Sequence, residues 1–287
     1  METRGFGPQG ERLPILGLGC GRVGSLGNPT PLREIRNTLA RALELGVTLL
    51  DTADIYGQGD SQREIGRLLR GRAEKAFVVS KVGYRFSTKM HLVRYAKPLL
   101  NPLIASFPKV RQQLVRQRQS ADLPSDFSPS YIVRAVDASL RRLEGKIVDG
   151  LLLHDPTVEV VATPGAIEVL AKLKVTGKIR HYGVSCNDLE TVRAALAMPG
   201  VTLVQLPFSL LAAVLATELM EAIRQRKIAV MVRGVLMEQP NVPPETAVLR
   251  ALQNEFVTSA IVGISKRRHL EDLVSAIAKT AIPQGIA

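Results

Sequence analysis

The feature that most constrains this chain is a regular alternation of short apolar segments with longer amphipathic ones. The short segments are typical of buried strands, and they cover residues 14–18, 47–51, 76–81, 148–153, 179–184, 201–205, 228–232 and 259–262. Each is followed by a segment whose apolar residues recur at the three- and four-residue spacing of a helix with one buried face. Buried strands separated by helices predict a parallel sheet with right-handed crossovers.

The predicted helices begin and end at recognisable residues. The first opens at Thr30, which is followed by a proline, and ends at Gly46, and the third opens in the same way at Ser128 and ends at Gly145. The others are predicted over residues 61–69, 165–176, 189–198, 213–226, 244–255 and 268–280.

Eight strand–helix units in 287 residues predict an α/β protein with a closed (β/α)8 TIM barrel. We expect a single domain over residues 1–287, with a small N-terminal hairpin and a long insertion at residues 84–127 after strand three. The main alternative is an open doubly wound sheet, which a Gly-rich phosphate loop would favour. The glycines at positions 17, 19 and 21 lack the required spacing into a helix, so the barrel is preferred.

The insertion carries most of the excess positive charge. The net charge is +12, and residues 82–121 contribute eight Lys or Arg residues with no Asp or Glu. Few aromatic residues accompany these charges and the chain has no Trp, which argues against a nucleic-acid partner. Four interpretations of the insertion stay open: a lid over a substrate pocket, a solvated flap, a dimer contact, or a segment that adheres weakly to membrane surfaces.

Other features bear on location and partners. The longest apolar stretch, residues 210–216, is far too short to cross a bilayer, so no integral membrane segment is expected. The start of the chain lacks the apolar core of a signal peptide, and two cysteines make neither a disulfide framework nor a metal site. We therefore expect a cytoplasmic protein without a bound metal; the sequence leaves its oligomeric state open.

Four polar residues stand at or near the carboxyl ends of neighbouring predicted strands. They are Asp51, Lys81 and His154, with Tyr56 on the loop after the second strand. Each has an ordinary structural explanation: a carboxylate cap, a lysine with its charged end in solvent, a satisfied core histidine. Because active sites of such barrels lie at the carboxyl ends of the strands, the four together favour a catalytic site.

These residue types form a plausible proton-transfer device. A phenol is a poor acid at neutral pH, and a nearby ammonium lowers its pKa. A carboxylate would hold the ammonium in place, and an imidazole could bind a substrate oxygen. Such a set suits proton transfer to a carbonyl oxygen while hydride moves to or from the carbon.

Three segments carry a resemblance to a known family. They read Asp-Thr-Ala-x-x-Tyr-Gly at 51–57, Val-Ser-Lys at 79–81 and Leu-Leu-His at 152–154, and their order and spacing resemble the tetrad of the aldo-keto reductase superfamily. The resemblance implies a (β/α)8 barrel and a nicotinamide dinucleotide, usually NADPH. It implies that Tyr56 is the general acid in carbonyl reduction, that Lys81 and Asp51 tune it, and that His154 orients the substrate carbonyl.

The resemblance extends to residues that would hold the nicotinamide. Ser185 and Gln205 match family positions that contact its amide. The family's Asn after the Ser is replaced by Cys186, so that either Asn187 takes its place or one hydrogen bond is lost. Where many members place an aromatic ring, this chain has Arg233, which could meet a phosphate instead.

The segment after strand eight resembles the one that grips the adenosine 2′-phosphate of NADP. Its predicted contacts are Gly263, Ser265, Lys266, Arg267 and His269, while Leu273 departs from the family's usual Asn. Positive side chains are unfavourable at a helix N-terminus unless an anion binds there. NADP is therefore expected in preference to NAD.

The sequence thus predicts an NADP-dependent oxidoreductase that interconverts an aldehyde, ketone or aldose with the alcohol or lactone. The insertion and the short tail resemble the aldose 1-dehydrogenase branch of the superfamily. Two alternatives remain: a non-catalytic, cofactor-sensing regulatory barrel of the same family, and a lyase or isomerase barrel that uses Lys81 as a Schiff base.

Overall fold

Eight parallel strands form a closed barrel at the centre of the molecule. The structure is a computed structural model, and it describes residues 1–25, 28, 30–72, 76–85 and 123–285. The barrel strands are β3 (Leu16–Gly19), β4 (Leu49–Asp51), β5 (Phe77–Val82), β6 (Val148–His154), β7 (Ile179–Ser185), β8 (Leu203–Pro207), β9 (Ala229–Arg233) and β10 (Ser259–Val262). They follow chain order around the barrel, and β10 pairs with β3 to close it. The predicted TIM barrel is confirmed.

Helices follow the strands and pack their apolar faces against the barrel. They are α1 (Leu32–Glu44), α2 (Asp60–Leu69), α3 (Pro129–Arg142), α4 (Val158–Ala162), α5 (Pro164–Val175), α6 (Leu189–Ala197), α7 (Phe208–Leu215), α8 (Leu219–Gln225), α9 (Pro244–Leu252) and α10 (Arg267–Ala278). In α1, the buried stripe of Ile35, Leu39 and Ala42 follows helical spacing and joins the main core cluster.

A short antiparallel hairpin, β1 (Thr3–Phe6) and β2 (Glu11–Pro14), contributes side chains to the barrel interior. Phe6 and Leu13 are fully buried in one cluster with Leu49, Ile261 and other strand residues. Because Leu49 begins its strand, the hairpin packs at the amino-terminal end of the barrel. The hairpin does not cover the opposite end, which is the end where the active sites of such barrels lie.

Side chains two residues apart on a strand point to the same face, and this period divides the barrel interior into two layers. The lower layer is apolar and includes Leu49, Val79, Leu152 and Leu203. The residues two positions further along the same strands are Asp51, Lys81, His154 and Gln205. An apolar layer thus supports a polar layer at the carboxyl ends of the strands.

Several predicted boundaries were wrong. The first strand was predicted over residues 14–18, but Pro14 ends the hairpin and β3 begins at Leu16. The first helix has Pro31 rather than Thr30 at its N-cap, without a side-chain hydrogen bond.

The helix predicted over residues 213–226 was also wrong, because α7 begins earlier and ends at Leu215, and α8 starts only at Leu219. The Thr217 hydroxyl bonds to the Val214 carbonyl and accepts from the Leu219 amide, which ends one helix and starts the next.

The predicted insertion at 84–127 falls mostly outside the described residues, which omit 86–122. The four interpretations of its role therefore stay predictions. Within the described ranges, none of the helices has the length and apolar character needed to cross a membrane.

Candidate active site

Lys81 is the centre of the polar layer. Its side chain is fully buried, and its ammonium nitrogen donates to Asp51 Oδ1 at 2.6 Å, to the Thr52 carbonyl at 3.2 Å and to the Tyr56 phenol oxygen at 3.5 Å. An ammonium has three protons, so these three acceptors match it completely. The bond to Tyr56 uses a lone pair of the phenol oxygen and leaves the phenolic proton available to another acceptor.

The loop that carries Tyr56 has a tightly specified conformation. Tyr56 begins a short 3-10 turn between β4 and α2, in which Gly57 has a φ of +56°. A Cβ at Gly57 would lie 2.6 Å from the Val23 carbonyl oxygen. Glycine is therefore required both for the left-handed backbone and for the close approach of the two loops.

Burial and the neighbouring charges act in opposite directions on this group. Burial alone would lower the pKa of Lys81, but Asp51 and Tyr56 outweigh it and raise that pKa, so the ammonium stays charged. For Tyr56, burial raises the pKa and the Lys81 charge lowers it only in part. The ammonium therefore lowers the phenol's pKa as expected, but the desolvation of the phenolate is the larger effect, and the pKa of Tyr56 is raised overall.

His154 lies between two phenol rings. Its ring centroid is 5.8 Å from that of Tyr56 and 4.8 Å from that of Tyr84, each in an edge-to-face arrangement. Burial, and then the charges of Lys81 and Arg233, lower the pKa of His154 well below its ordinary value. The imidazole is therefore neutral at physiological pH and carries a single N–H proton.

The predicted nicotinamide contacts Ser185 and Gln205 lie on the two strands that come after the His154 strand around the barrel. In the strand register His154 pairs with Ser185, and Ser185 pairs with Gln205. Gln205 donates from Nε2 to Asp51 Oδ1 at 3.0 Å, which fixes the orientation of its amide. Its Oε1 is buried and has no hydrogen-bond partner among the described residues.

Cys186 and Asn187, the two residues after Ser185, have different surroundings. The Cys186 side chain is buried and its thiol faces the Val184 carbonyl at 3.8 Å. Asn187 is exposed, and its Oδ1 accepts a hydrogen bond from the Arg233 guanidinium. Arg233 thus fixes the Asn187 side chain, and its contact with the nicotinamide amide stays a prediction. That Arg233 meets a phosphate stays a prediction.

The segment before α10 is open to solvent. Gly263, Lys266, Arg267 and His269 are exposed, and Lys266 is the N-cap of α10 without a side-chain hydrogen bond to cap it. Arg267 pairs with Glu271 at 3.0 Å. Partly buried Ser265 joins this segment to α1, because its carbonyl accepts from the Thr38 hydroxyl at 3.2 Å. Leu273, where the family usually has Asn, is buried in the core.

The sequence model of the aldo/keto reductase family matches residues 15–240. This range is most of the chain, and it contains Asp51, Tyr56, Lys81 and His154. The chain belongs to the aldo/keto reductase family. The matched range ends before Gly263, so the resemblance of the segment before α10 rests on the sequence alone.

Relatives of this aldo/keto reductase share about a quarter of its residues. It is 28% identical over 236 residues to the aldo-keto reductase yakc, NADP(+), of Schizosaccharomyces pombe, an alignment that spans 80% of this chain and 60% of the relative. It is 26% identical over 251 residues to pyridoxal 4-dehydrogenase of Microbacterium luteolum, spanning 82% of this chain and 70% of that one. For a Glycine max protein named probable aldo-keto reductase 1, the identity is 25% and the relative is covered over 57% of its length.

Solved structures share the fold of this aldo/keto reductase. An aldo-keto reductase from Bacillus halodurans, in its holo form, superposes with a TM-score of 0.75 at 23% identity, covering 99% of this chain and 93% of that one. One from Klebsiella pneumoniae, in complex with NADP and acetate, gives 0.70 at 19% identity, with coverages of 98% and 91%. At these identities the likeness concerns the fold.

Two residues of the site were not predicted from the sequence. Tyr84, just after β5, packs its ring edge against His154. Asp155, just after β6, accepts a hydrogen bond from the Ser185 hydroxyl at 2.9 Å and lies 3.5 Å from the Arg233 guanidinium. Asp155 could have been found from its position at a strand's carboxyl end, whereas nothing in the sequence distinguishes Tyr84 from a loop residue.

The two thiols of this aldo/keto reductase are buried. Burial, with Asp51 nearby, raises the pKa of Cys20 to about 12, and burial also raises the pKa of Cys186. Neither thiolate forms at neutral pH. Among the described residues, no group of three or more His, Cys, Asp or Glu side chains could hold a metal ion.

Proposed function

We propose that this aldo/keto reductase is an NADP-dependent oxidoreductase that interconverts a small carbonyl compound or aldose with the alcohol or lactone. The observation that carries the proposal is the position of the Lys81 ammonium. It contacts both the Asp51 carboxylate and the Tyr56 phenol, beside the neutral imidazole of His154. We further propose that residues 1–287 form one domain, with the 84–127 segment inserted in it.

The names of similar proteins agree with this proposal. The Schizosaccharomyces pombe relative is named for NADP(+), and the Klebsiella pneumoniae structure contains NADP. The Microbacterium luteolum relative is named a dehydrogenase of pyridoxal, which is an aldehyde.

The residues present fit a nicotinamide dinucleotide. Gln205 Oε1 is a buried acceptor without a partner among the described residues, and the amide N–H of a nicotinamide would satisfy it. Ser185 lies opposite Gln205 in the strand register, and Asn187 follows two residues later. The exposed cations Lys266 and Arg267 would face a phosphate at the helix N-terminus, with His269, Ser265 and Gly263 around them. When bound, the dinucleotide supplies a hydride to the carbonyl carbon in reduction and is itself oxidised.

The protein's own residues handle the proton. His154 orients the carbonyl oxygen, and Tyr56, a neutral phenol because its pKa is raised, donates its proton as the C=O π pair becomes the new O–H bond. The phenolate that forms faces the Lys81 ammonium, which stabilises it. A proton from solvent restores the phenol. In oxidation, the same steps run in reverse.

The geometry disfavours a Schiff base at Lys81. A Schiff-base lysine must lose its proton to attack a carbonyl, but the pKa of Lys81 is raised and its three protons already have acceptors.

The decisive experiment compares the wild type with Tyr56→Phe. We expect the wild type to bind NADPH and to oxidise it in the presence of small aldehydes, followed at 340 nm. Tyr56→Phe should lower kcat by about 10²- to 10⁴-fold, the usual contribution of a general acid. Its affinity for NADPH, measured by fluorescence titration, should change little because the phenol is a proton donor.

Other outcomes would identify the alternatives. NADPH binding without turnover of any aldehyde, ketone or aldose would support a cofactor-sensing barrel. A borohydride-trapped adduct on Lys81 would support a lyase or isomerase. Failure to bind NADPH or NADH would overturn the oxidoreductase proposal.

A further inference from the structure

A cavity of about 410 Å³ lies on the outer wall of the barrel, between α2 and α3. It is lined by four arginines, an alanine and a glutamate: Arg63, Arg67, Ala138, Arg141, Arg142 and Glu144. Its volume is in the range of small-molecule sites, about 300–1,000 Å³. Such sites are usually lined by apolar side chains, whereas guanidinium groups dominate this one. The lining therefore indicates an anionic ligand.

The packing of α2 against α3 shapes this cavity. The two helices approach closely at Gly66, where a Cβ would lie 2.7 Å from the Arg142 carbonyl oxygen. The Arg142 side chain runs between the helices, and its Nη1 donates to Gln62 Oε1 at 3.0 Å. Gly59 leaves room for it, because a Cβ there would lie 2.6 Å from Arg142 Nε. Arg142 is thus held in place as one wall of the cavity.

The carboxylates nearest the cavity already pair with arginines. Glu144 accepts two hydrogen bonds from Arg70, at 2.6 and 2.7 Å. Glu64 is buried and pairs with two guanidinium groups, that of Arg67 at 2.5 Å and that of Arg36 at 2.6 Å. Three arginines thus share two carboxylates.

The other arginines of the lining increase the excess of positive charge. Arg63 pairs with Asp60 at 3.0 Å, while Arg142 donates to the neutral amide of Gln62. No hydrogen bond or ion pair joins the Arg141 side chain to another residue in the described part of the chain. In that part of the chain, six arginines meet three carboxylates around the cavity, which leaves three positive charges in excess.

Helix electrostatics explain only part of this arrangement. Arg141 and Arg142 lie in the last turn of α3, where the helix dipole favours cations. Arg63 and Arg67 are four residues apart on α2, and like charges at this spacing repel each other. Asp54 lies near Arg142, but burial raises its pKa to about 7, so it offsets at most one charge. An anion bound in the cavity would convert the remaining repulsion into attraction.

The arrangement of the guanidinium groups indicates which anion fits. A guanidinium binds phosphate oxygens through parallel N–H···O bonds. Groups on two facing helices need anionic oxygens at two separated positions, and a molecule with two phosphate groups supplies them. Acidic side chains of a partner protein would instead require a flat, open surface.

We propose that the cavity between α2 and α3 binds a small molecule that carries two phosphate groups. The site is separate from the segment before α10, because α1 packs between α10 and α2. The proposal therefore does not depend on the oxidoreductase activity or on the NADP contacts. Two linked phosphates occur in inorganic pyrophosphate and in nucleoside diphosphates, and two separated ones in sugar bisphosphates.

Calorimetric titration with inorganic pyrophosphate tests the proposal. The wild type should bind it with a Kd below about 1 mM at low ionic strength, and added NaCl should raise the Kd by screening. Arg141→Gln removes one charge from the cavity and should raise the Kd about tenfold, as should Arg67→Gln. Because Arg141 is exposed, its substitution should leave the thermal unfolding temperature unchanged.

Two control variants locate the binding. Arg250→Gln alters an exposed arginine on α9, away from the cavity, and should bind pyrophosphate as the wild type does. Lys266→Ala alters the segment before α10 and should also retain binding. Titrations of the wild type with ADP and with fructose 1,6-bisphosphate then distinguish the sources, since the tighter ligand shows whether linked or separated phosphates are preferred.

Three results would overturn the proposal. The first is no binding of any of the three phosphate compounds to the wild type, including the case in which a poly-glutamate peptide binds instead. The second is an unchanged Kd for pyrophosphate in both Arg141→Gln and Arg67→Gln. The third is loss of binding in Lys266→Ala with retention in the two cavity variants, which would assign the pyrophosphate to the segment before α10.

Discussion

The buried polar group around Lys81 and the segment before α10 differ in almost every physical respect. Lys81 is fully buried and its three protons have acceptors within the protein. Lys266, at the start of α10, is exposed and makes no capping hydrogen bond. The ammonium of Lys81 has all its acceptors within the protein, whereas the side chain of Lys266 is open to solvent.

The roles that we propose for the two regions account for this difference. A proton donor must have its geometry and pKa fixed before substrate arrives, because reorganisation during the reaction would cost rate. The segment before α10, which we propose binds a phosphate, must be reachable by the ligand, and the exposed Lys266 meets this requirement. We therefore expect substitutions in the first region to affect stability, and those in the second to affect affinity alone.

The largest expected effect tests the buried pair. Lys81→Met removes one partner and leaves the Asp51 carboxylate buried, so the free energy of unfolding should fall by about 3–5 kcal/mol. Urea denaturation measures this. The control is Lys178→Met, which breaks the Lys178–Asp137 pair; both of its side chains are 36% exposed, and the loss should be below about 1 kcal/mol. Similar losses in the two variants would show that the tetrad pair is effectively solvated.

A second prediction concerns Asp54, which is buried behind the same region. Its Oδ1 has no hydrogen-bond partner among the described residues, and burial raises its pKa to about 7. Because this pKa is raised, the contribution of Asp54 to the free energy of unfolding is complete below pH 4 and is lost as the pH rises through about 7. Asp54→Asn should therefore become more stable relative to the wild type by roughly 2–4 kcal/mol between pH 4 and pH 8.

A second variant, at Asp126, is the control for the direction of this pH effect on stability. Hydrogen bonds from Ser128 lower the pKa of Asp126, so that its contribution is present at neutral pH and is lost as the pH falls. Asp126→Asn should thus change relative stability in the opposite direction from Asp54→Asn. Denaturation curves at several pH values measure both. The same sign for both variants would contradict the burial argument.

The smallest expected effect tests the exposed segment. Lys266→Ala should weaken NADPH binding about 5- to 10-fold, as loss of one phosphate ion pair would, and leave NADH binding and thermal stability unchanged. Lys279→Ala, an exposed lysine at the other end of α10, should change neither. Calorimetric titration measures both affinities. A parallel loss for NADPH and NADH would place Lys266 away from the 2′-phosphate.

Much of this fold could be predicted from the sequence, because strands and helices are indicated by the spacing of apolar residues over short segments. Apolar segments of strand length between amphipathic helices predicted the barrel, and the last strand was predicted at its observed bounds, Ser259–Val262. The helix predicted over 213–226 was wrong, because apolar periodicity continues across the break that Thr217 produces. The spacing of apolar residues predicts which face of a helix is buried. It does not show where a side chain ends the helix by bonding to the backbone.

The sequence by itself determined which residues stand at the carboxyl ends of the strands. A strand has a period of two and parallel strands share one direction, so Asp51, Lys81 and His154 had to meet on one side of the barrel. Only the tertiary structure decided the direction of the Tyr56 pKa, and the contacts of Asp155 with Ser185 and Arg233. Those depend on how deeply a group is buried and on which distant strands lie beside it, and both are properties of the closed barrel.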